Sequence, residues 1–151
     1  MQMHFVFESP VGNLLLTEQD EKILSLVWTK KPGSNPKSST LRKTKQWLIS
    51  YFGKNFVPIN FSLSLEGTKL QKSTWKAIYN IPFSQTTTYG QLAKNIGTSP
   101  RALGKICGSN PIPIIIPCHR VLSSNGTIGG YSGGKGITTK QKLLKLESSL
   151  I

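Results

Sequence analysis

Three short stretches of alternating apolar and polar residues open the chain, Met3 to Phe7, Asn13 to Thr17 and Ile23 to Trp28, separated by Ser-Pro-Val-Gly and Gln-Asp-Glu. Alternation with a period of two, interrupted by turn-forming residues, predicts a small antiparallel sheet. Thr29 to Thr40, rich in Lys, Pro, Gly and Ser, reads as a loop, Leu41 to Phe52 as an amphipathic helix, and Phe56 to Leu65 as a further extended piece. The texture changes after Glu66. Thr68 to Asn80 carries apolar residues at helical spacing, Leu70, Trp75, Ala77, Ile78 and Tyr79, and halts before Ile81-Pro82. A last helical segment runs from Thr138 to Leu150. These patterns predict an α+β protein of two domains, a sheet-and-helix domain over residues 1–65 and a mainly helical domain over 66–151.

Between Tyr89 and Pro111 the punctuation is sharper. A short helix ends at Gly97, Ser99 caps a second, and Pro100 takes that helix's first position. The pair reads as a helix-turn-helix in a winged-helix-like setting. In its second helix Arg101 and Lys105 lie four apart and share a face, while Ala102 and Gly104 keep the surface low enough for close approach to a duplex. An ordinary helical hairpin would show the same punctuation without the basic face.

Charge changes that balance. Among 151 residues, 19 Lys and Arg stand against 6 Asp and Glu, a formal +13. Lys and Arg contacts to phosphate supply most non-specific nucleic-acid affinity, so a polyanion is the expected partner. Glu147 is the sole carboxylate after Glu66. The two cysteines, Cys107 and Cys118, are too few for a disulfide framework, and no cysteine precedes Cys107 to hold a metal in the first domain, so no metal and no cofactor are expected. No apolar stretch is long enough to span a membrane, and Met1 to Ser9 lacks the basic start and apolar block of a signal peptide. An intracellular monomer is expected, cytoplasmic in a prokaryote or nuclear in a eukaryote.

The chemistry concentrates where Ile114-Ile115-Ile116-Pro117 delivers Cys118 and His119 side by side. A thiolate is the strongest side-chain nucleophile, but an unperturbed thiol is ionised only to a few per cent at neutral pH. A nearby base is needed. The run Pro-Ile-Pro-Ile-Ile-Ile-Pro after Asn110 reads as a stiff connector. If it is extended, consecutive side chains point to opposite sides, so a bridging water or a sharp turn must join thiol and ring. Glu147 is the downstream carboxylate that can orient the imidazole, which makes the relay Cys118, water, His119, Glu147. The ordinary reading of each member is a buried cysteine and a solvated helical glutamate beside Lys145.

Pro117-Cys118-His119-Arg120-Val121, preceded by Asn110-Pro111 and followed by Gly129-Gly130-Tyr131-Ser132-Gly133-Gly134, closely resembles the active-site signature of the O6-alkylguanine-DNA alkyltransferases. Gly67-Thr68 with Gln71, Trp75, Ile81-Pro82 and Thr88-Tyr89-Gly90-Gln91-Leu92-Ala93 is similar to that family's approach to its helix-turn-helix. The likeness covers roughly residues 66 to 147; the first 65 match in layout alone. It implies a repair protein that binds double-stranded DNA from the minor groove, flips an O6-alkylated guanine out, and takes the alkyl group permanently onto Cys118. By the same resemblance Tyr89 donates to the departing guanine, Asn110 is the hinge between reading helix and site, and Lys140 stabilises the thiolate. Arg101 fills the vacated stack, Tyr131, Ser132 and Gly133 wall the base, and Pro113 and Ile128 line the alkyl pocket. The chain departs from the family at Leu70, at Ser84-Gln85, and in two extra residues between Gly134 and Lys140. A cysteine hydrolase would need an oxyanion hole that nothing in the sequence supplies, and a non-catalytic regulator would leave Cys118, His119 and Glu147 unexplained.

Overall fold

The alternating segments form β1 (Gln2–Ser9), β2 (Gly12–Gln19) and β3 (Lys22–Trp28), an antiparallel meander that pairs Phe5 with Leu16 and Leu16 with Leu26. The computed structural model describes residues 1–148 and divides the chain into two compact units, Met1–Leu65 and Glu66–Ile151. In the first, the β2–β3 turn sets both Asp20 and Glu21 at positive φ, the left-handed geometry that a two-residue hairpin loop needs. The stretch read as extended from Phe56 to Leu65 keeps only β4 (Ser62–Leu63), which joins β3 in parallel, so the sheet order is β1-β2-β3-β4. Helix α1 (Ser39–Phe52) begins where the Ser38 hydroxyl accepts the Leu41 N–H. It buries Leu41, Trp47, Leu48 and Tyr51, while Leu14, Leu16 and Ile23 are buried from the sheet.

In the second unit α2 (Lys69–Tyr79) starts with a reciprocal capping box: Gln71 N–H donates to the Thr68 hydroxyl and Thr68 N–H to the Gln71 side chain. Trp75, buried on this helix, donates its indole N–H to the Ile106 carbonyl at 3.2 Å. Strand β5 (Thr87–Thr88) leads into α3 (Tyr89–Ile96) and α4 (Pro100–Gly108), the helix-turn-helix. Gly97 closes α3 at φ +90, and the Ser99 hydroxyl accepts the Ala102 N–H at 3.1 Å to open α4. Strand β6 (Val121–Leu122) pairs in parallel with β5, and α5 (Ile137–Ser148) ends the described chain. The expected helical residue Leu150 lies outside the described residues.

The connector between α4 and the Cys-His pair is not extended. Ile116 N–H returns to the Ile112 carbonyl at 2.8 Å, and Ile114 sits at φ +73, a left-handed conformation that is uncommon for a β-branched residue. Such a residue costs about 1–3 kcal/mol. Full burial of an isoleucine side chain offsets this by about 1.5–3 kcal/mol, and Ile112, Ile114, Ile115 and Ile116 are all buried. The proline-punctuated run is therefore a knot of core side chains that fixes where the next residues go.

Candidate active site

Asn110 ties that knot to the end of α4. Its side-chain carbonyl accepts the Ile112 N–H at 2.9 Å, and its amide donates to the Ile116 carbonyl at 2.8 Å. Beyond it Cys118–Arg120 form one turn of 3-10 helix, with Arg120 N–H on the Pro117 carbonyl. This is the sharp turn that an extended connector would have denied. All three side chains are buried.

Of the three side chains of that turn, Cys118 lines a cavity, while His119 and Arg120 converge on one carboxylate. The His119 Nε2 lies 2.5 Å from Glu147 Oε2, with exposures of 0% and 2%. Arg120 grips the same carboxylate through both edges, Nε to Oε1 at 2.7 Å and Nη2 to Oε2 at 3.1 Å. Its Nη1 donates to the Ile81 carbonyl at 2.6 Å, and its guanidinium stacks over Phe83 at 4.6 Å. Ser84 completes the cage by donating its backbone N–H to Glu147 Oε1 at 3.2 Å and its hydroxyl to the Glu147 carbonyl at 2.8 Å. Glu147 is thus no solvated neighbour of Lys145 but the centre of a buried cluster on α5.

The electrostatics follow from this packing. Burial would raise the Glu147 carboxyl, but the hydrogen bonds and charges of His119 and Arg120 outweigh it and bring its pKa down to about 2. Burial lowers the His119 pKa, against the pull of Glu147 and together with the charges of Arg120 and Lys140, so the imidazole is neutral. A neutral ring facing a carboxylate through Nε2 carries its proton there, which makes Nδ1 the acceptor. Burial pushes the Cys118 thiol up, while Asn110, the Lys140 ammonium and its own backbone N–H pull it down. The resting sulfur is therefore a thiol in the field of groups that favour the thiolate.

Lys140, fully buried on α5, donates Nζ to the Val121 carbonyl at 2.7 Å and the Gly130 carbonyl at 3.1 Å, and lies 5.7 Å from the Tyr89 ring centre. Burial lowers its pKa and the two thiols raise it. Tyr89, Gly104, Cys107, Gly108, Cys118, Gly130, Tyr131 and Ser132 enclose a cavity of about 430 Å3. Burial, then the charges of Cys107 and Cys118, push the Tyr89 phenol up to about 12, so it remains a donor at neutral pH. Tyr131 is raised well above the ordinary phenol range, first by burial and then by Cys118. The Ser132 hydroxyl reaches the Gly108 carbonyl at 3.3 Å, which joins the cavity wall to the end of α4.

The fold thus joins His119, Arg120 and Glu147 in one buried cluster and sets Cys118, Tyr89, Tyr131 and Ser132 on one cavity wall, with Lys140 5.7 Å from the Tyr89 ring centre and Asn110 tying the connector to α4. Pro113, Ile128 and Gly133 are half-buried and are not part of that wall. Arg101 and Lys105 are exposed on α4 and Ser99 is exposed at its N-cap, with Ala102 and Gly104 half-buried on the helix. A Cβ built on Gly104 would meet nothing within 4 Å, which leaves this stretch of helix open to a closely approaching partner. Two participants were not anticipated. Arg120 directly follows the Cys-His pair, and the lone downstream acid of a basic chain was the available signal that a cation of this turn would pair with it. Ser84 stands out in the sequence only as a departure from the resembled family, and its φ of +65 places it in the left-handed region that favours glycine.

A family model described as the DNA-binding domain of 6-O-methylguanine DNA methyltransferase matches residues 69–149. The chain is similar to the methylated-DNA–protein-cysteine methyltransferase of Methanosarcina acetivorans, 41% identical over 95% of this chain and 97% of the relative. It is also similar to the protein of that name in Mycobacterium tuberculosis, 38% identical over 93% of this chain and 82% of the relative. Among solved structures, the crystal structure of Mycobacterium tuberculosis OGT in complex with DNA matches with a TM-score of 0.86 and 35% identity, covering 97% of this chain and 92% of that one. The Mycobacterium tuberculosis O6-methylguanine methyltransferase matches at 0.85 and 34%, covering 99% and 94%. The chain belongs to the family of methylated-DNA–protein-cysteine methyltransferases.

Proposed function

We propose that this protein repairs duplex DNA by drawing an O6-alkylated guanine into the cavity beside Cys118 and transferring the alkyl group to that sulfur, once per molecule. The observation that carries the reading is the buried chain from Arg120 through Glu147 to His119, set in the same tight turn as a thiol that walls a cavity large enough for a base.

Glu147, kept ionised by Arg120, holds the imidazole so that Nδ1 takes the Cys118 proton through one water. The thiolate forms beside the Lys140 ammonium and the Asn110 amide, which replace water as its solvation. It attacks the alkyl carbon in line; the sulfur–carbon bond forms as the carbon–O6 bond breaks. Tyr89 donates to the departing guanine, for which its raised pKa suits it. A thioether has no route back to a thiol here, so the reaction stops after one turnover.

Delivery of the base falls to residues 66–151, the DNA-binding and alkyl-transfer domain in this reading. α4 approaches the minor groove as a monomer, Gly104 and Ala102 permit close contact, Ser99 and Lys105 meet phosphates, and Arg101 fills the gap left by the extruded base. Tyr131 and Ser132, on the cavity wall, hold the flipped guanine; Gly133, Pro113 and Ile128 lie off that wall and are assigned no contact with it. Such a protein works where chromosomal DNA lies, the cytoplasm of a prokaryote or the nucleus of a eukaryote.

The test is incubation with O6-benzylguanine followed by intact-mass and peptide analysis. One benzyl group on Cys118, never more than one equivalent, is the expected outcome. Cys118→Ser should lose transfer and keep duplex binding. Continued turnover would indicate a hydrolase, and binding without any adduct a regulator.

A further inference from the structure

The cavity holds a second thiol. Cys107, in the last turn of α4, is buried and lines the same space of about 430 Å3 as Cys118. Burial of a free cysteine is ordinary. Sharing a reaction chamber with a nucleophilic cysteine is not, and the transfer scheme above makes no use of it.

We infer that Cys107 is a second alkyl-accepting site, specific for adducts that arrive on Cys118 still carrying a leaving group on their outer carbon, such as a 2-haloethyl group. The inference rests on the reading of Cys118 as the first acceptor. A methyl or benzyl thioether offers Cys107 nothing to displace. A chloroethyl group differs: its outer carbon extends from Cys118 into the volume that Cys107 walls. In the first step the Cys118 sulfur bonds to the inner carbon, the carbon–O6 bond breaks, and guanine leaves with that electron pair and gains a proton. In the second, the Cys107 sulfur bonds to the outer carbon, the carbon–chlorine bond breaks, chloride leaves with its electron pair, and the Cys107 proton passes to water. No oxidant or cofactor enters. The product is an ethylene bridge between the two sulfurs, plus guanine and hydrogen chloride.

The order of events suits the electrostatics of the cavity. The Cys107 thiol is pushed up to about 12, first by burial and then by any charge that forms on Cys118, with Lys140 pulling the other way. Alkylation turns Cys118 into a neutral thioether. A thioether cannot ionise, so Cys118 no longer competes for the favourable field of Lys140, while burial of Cys107 persists. Cys107 stays inert while Cys118 awaits substrate.

The experiment uses the full chain and two probes, O6-benzylguanine and a duplex oligonucleotide bearing O6-(2-chloroethyl)guanine. Free thiols are counted after unfolding, and adducts are located by peptide mapping. With the benzyl probe one of the two cysteines should remain free, Cys107. With the chloroethyl probe neither should remain, and the peptides containing Cys107 and Cys118 should be joined through two carbons. Cys107→Ser should give instead a hydroxyethyl thioether on Cys118, formed by water. A wild-type product with Cys107 free and a hydroxyethyl group, or DNA, on Cys118 overturns the inference and leaves the proposed function standing. Absence of any benzyl group on Cys118 overturns both.

Discussion

Replacing Glu147 by Gln keeps the shape of the side chain and removes the charge that Arg120 and His119 share. A carboxyl whose pKa is held at about 2 rather than at 4.5 contributes about 3 kcal/mol to folding at neutral pH. Loss of one partner from a buried ion pair costs about 3–5 kcal/mol, because the other charge is left without compensation. Here that charge is the Arg120 guanidinium, 4% exposed. At about 2–4 °C per kcal/mol for a chain of this size, the melting temperature should fall by roughly 6–20 °C. The sign of the pH dependence is fixed. The folded pKa of Glu147 is depressed, so its contribution is complete above 4.5 and vanishes as pH falls toward 2. His119, whose folded pKa lies below 6.5 through burial, adds a loss of the same sign that begins below 6.5 in both proteins. Urea unfolding of wild type and variant across this range should show a stability gap widest near neutrality that closes as the solution is acidified below 4.5. The variant should also transfer benzyl at least about a hundredfold more slowly, since the imidazole loses the group that orients it. A gap that does not change with pH, or a variant as stable as wild type at pH 7, would refute the assignment of Glu147 as an ionised hub.

Lys140→Met removes the ammonium beside the thiol, so the Cys118 pKa should rise further and the pH–rate profile for benzyl transfer move to higher pH; the carbonyls of Val121 and Gly130, left without their donor, should cost about 1–3 kcal/mol in a urea titration. Arg101→Ala should slow transfer from an alkylated duplex by about tenfold or more while transfer from free O6-benzylguanine changes little, because only the duplex must stay open around an extruded base; equal losses would contradict the intercalating role. Tyr89→Phe should slow transfer by about a hundredfold or more through loss of its proton donor, with duplex affinity unchanged in a filter or fluorescence assay.

Much of the scaffold was legible because local rules and the tertiary fold agree. Ser99-Pro100 and Gly97 mark helix boundaries by their own chemistry, and in β2 Leu14 and Leu16 are buried while Leu15 between them is half-buried. Glu147 stood out because a lone acid in a basic field needs a counter-charge. The connector from Pro111 to Pro117 misled for a physical reason: prolines favour extended backbone locally, whereas four buried isoleucines reward compaction that only the assembled core supplies. The short parallel strand Ser62–Leu63 has the same origin, since its partner lies far away along the chain. Nor does composition separate Lys140 from Lys142 and Lys145. Only the helix's orientation buries the first and exposes the other two.

Lys140 and Glu147 stand seven positions apart on α5, two turns along one side, so a single rod carries both the cation that favours the thiolate and the anion that aims the base. Slippage or fraying of that rod would withdraw both at once. A damaged molecule would then fall silent rather than persist as a loosely activated thiol able to react with whatever electrophile came near, a useful mode of failure for a protein that cannot be reset.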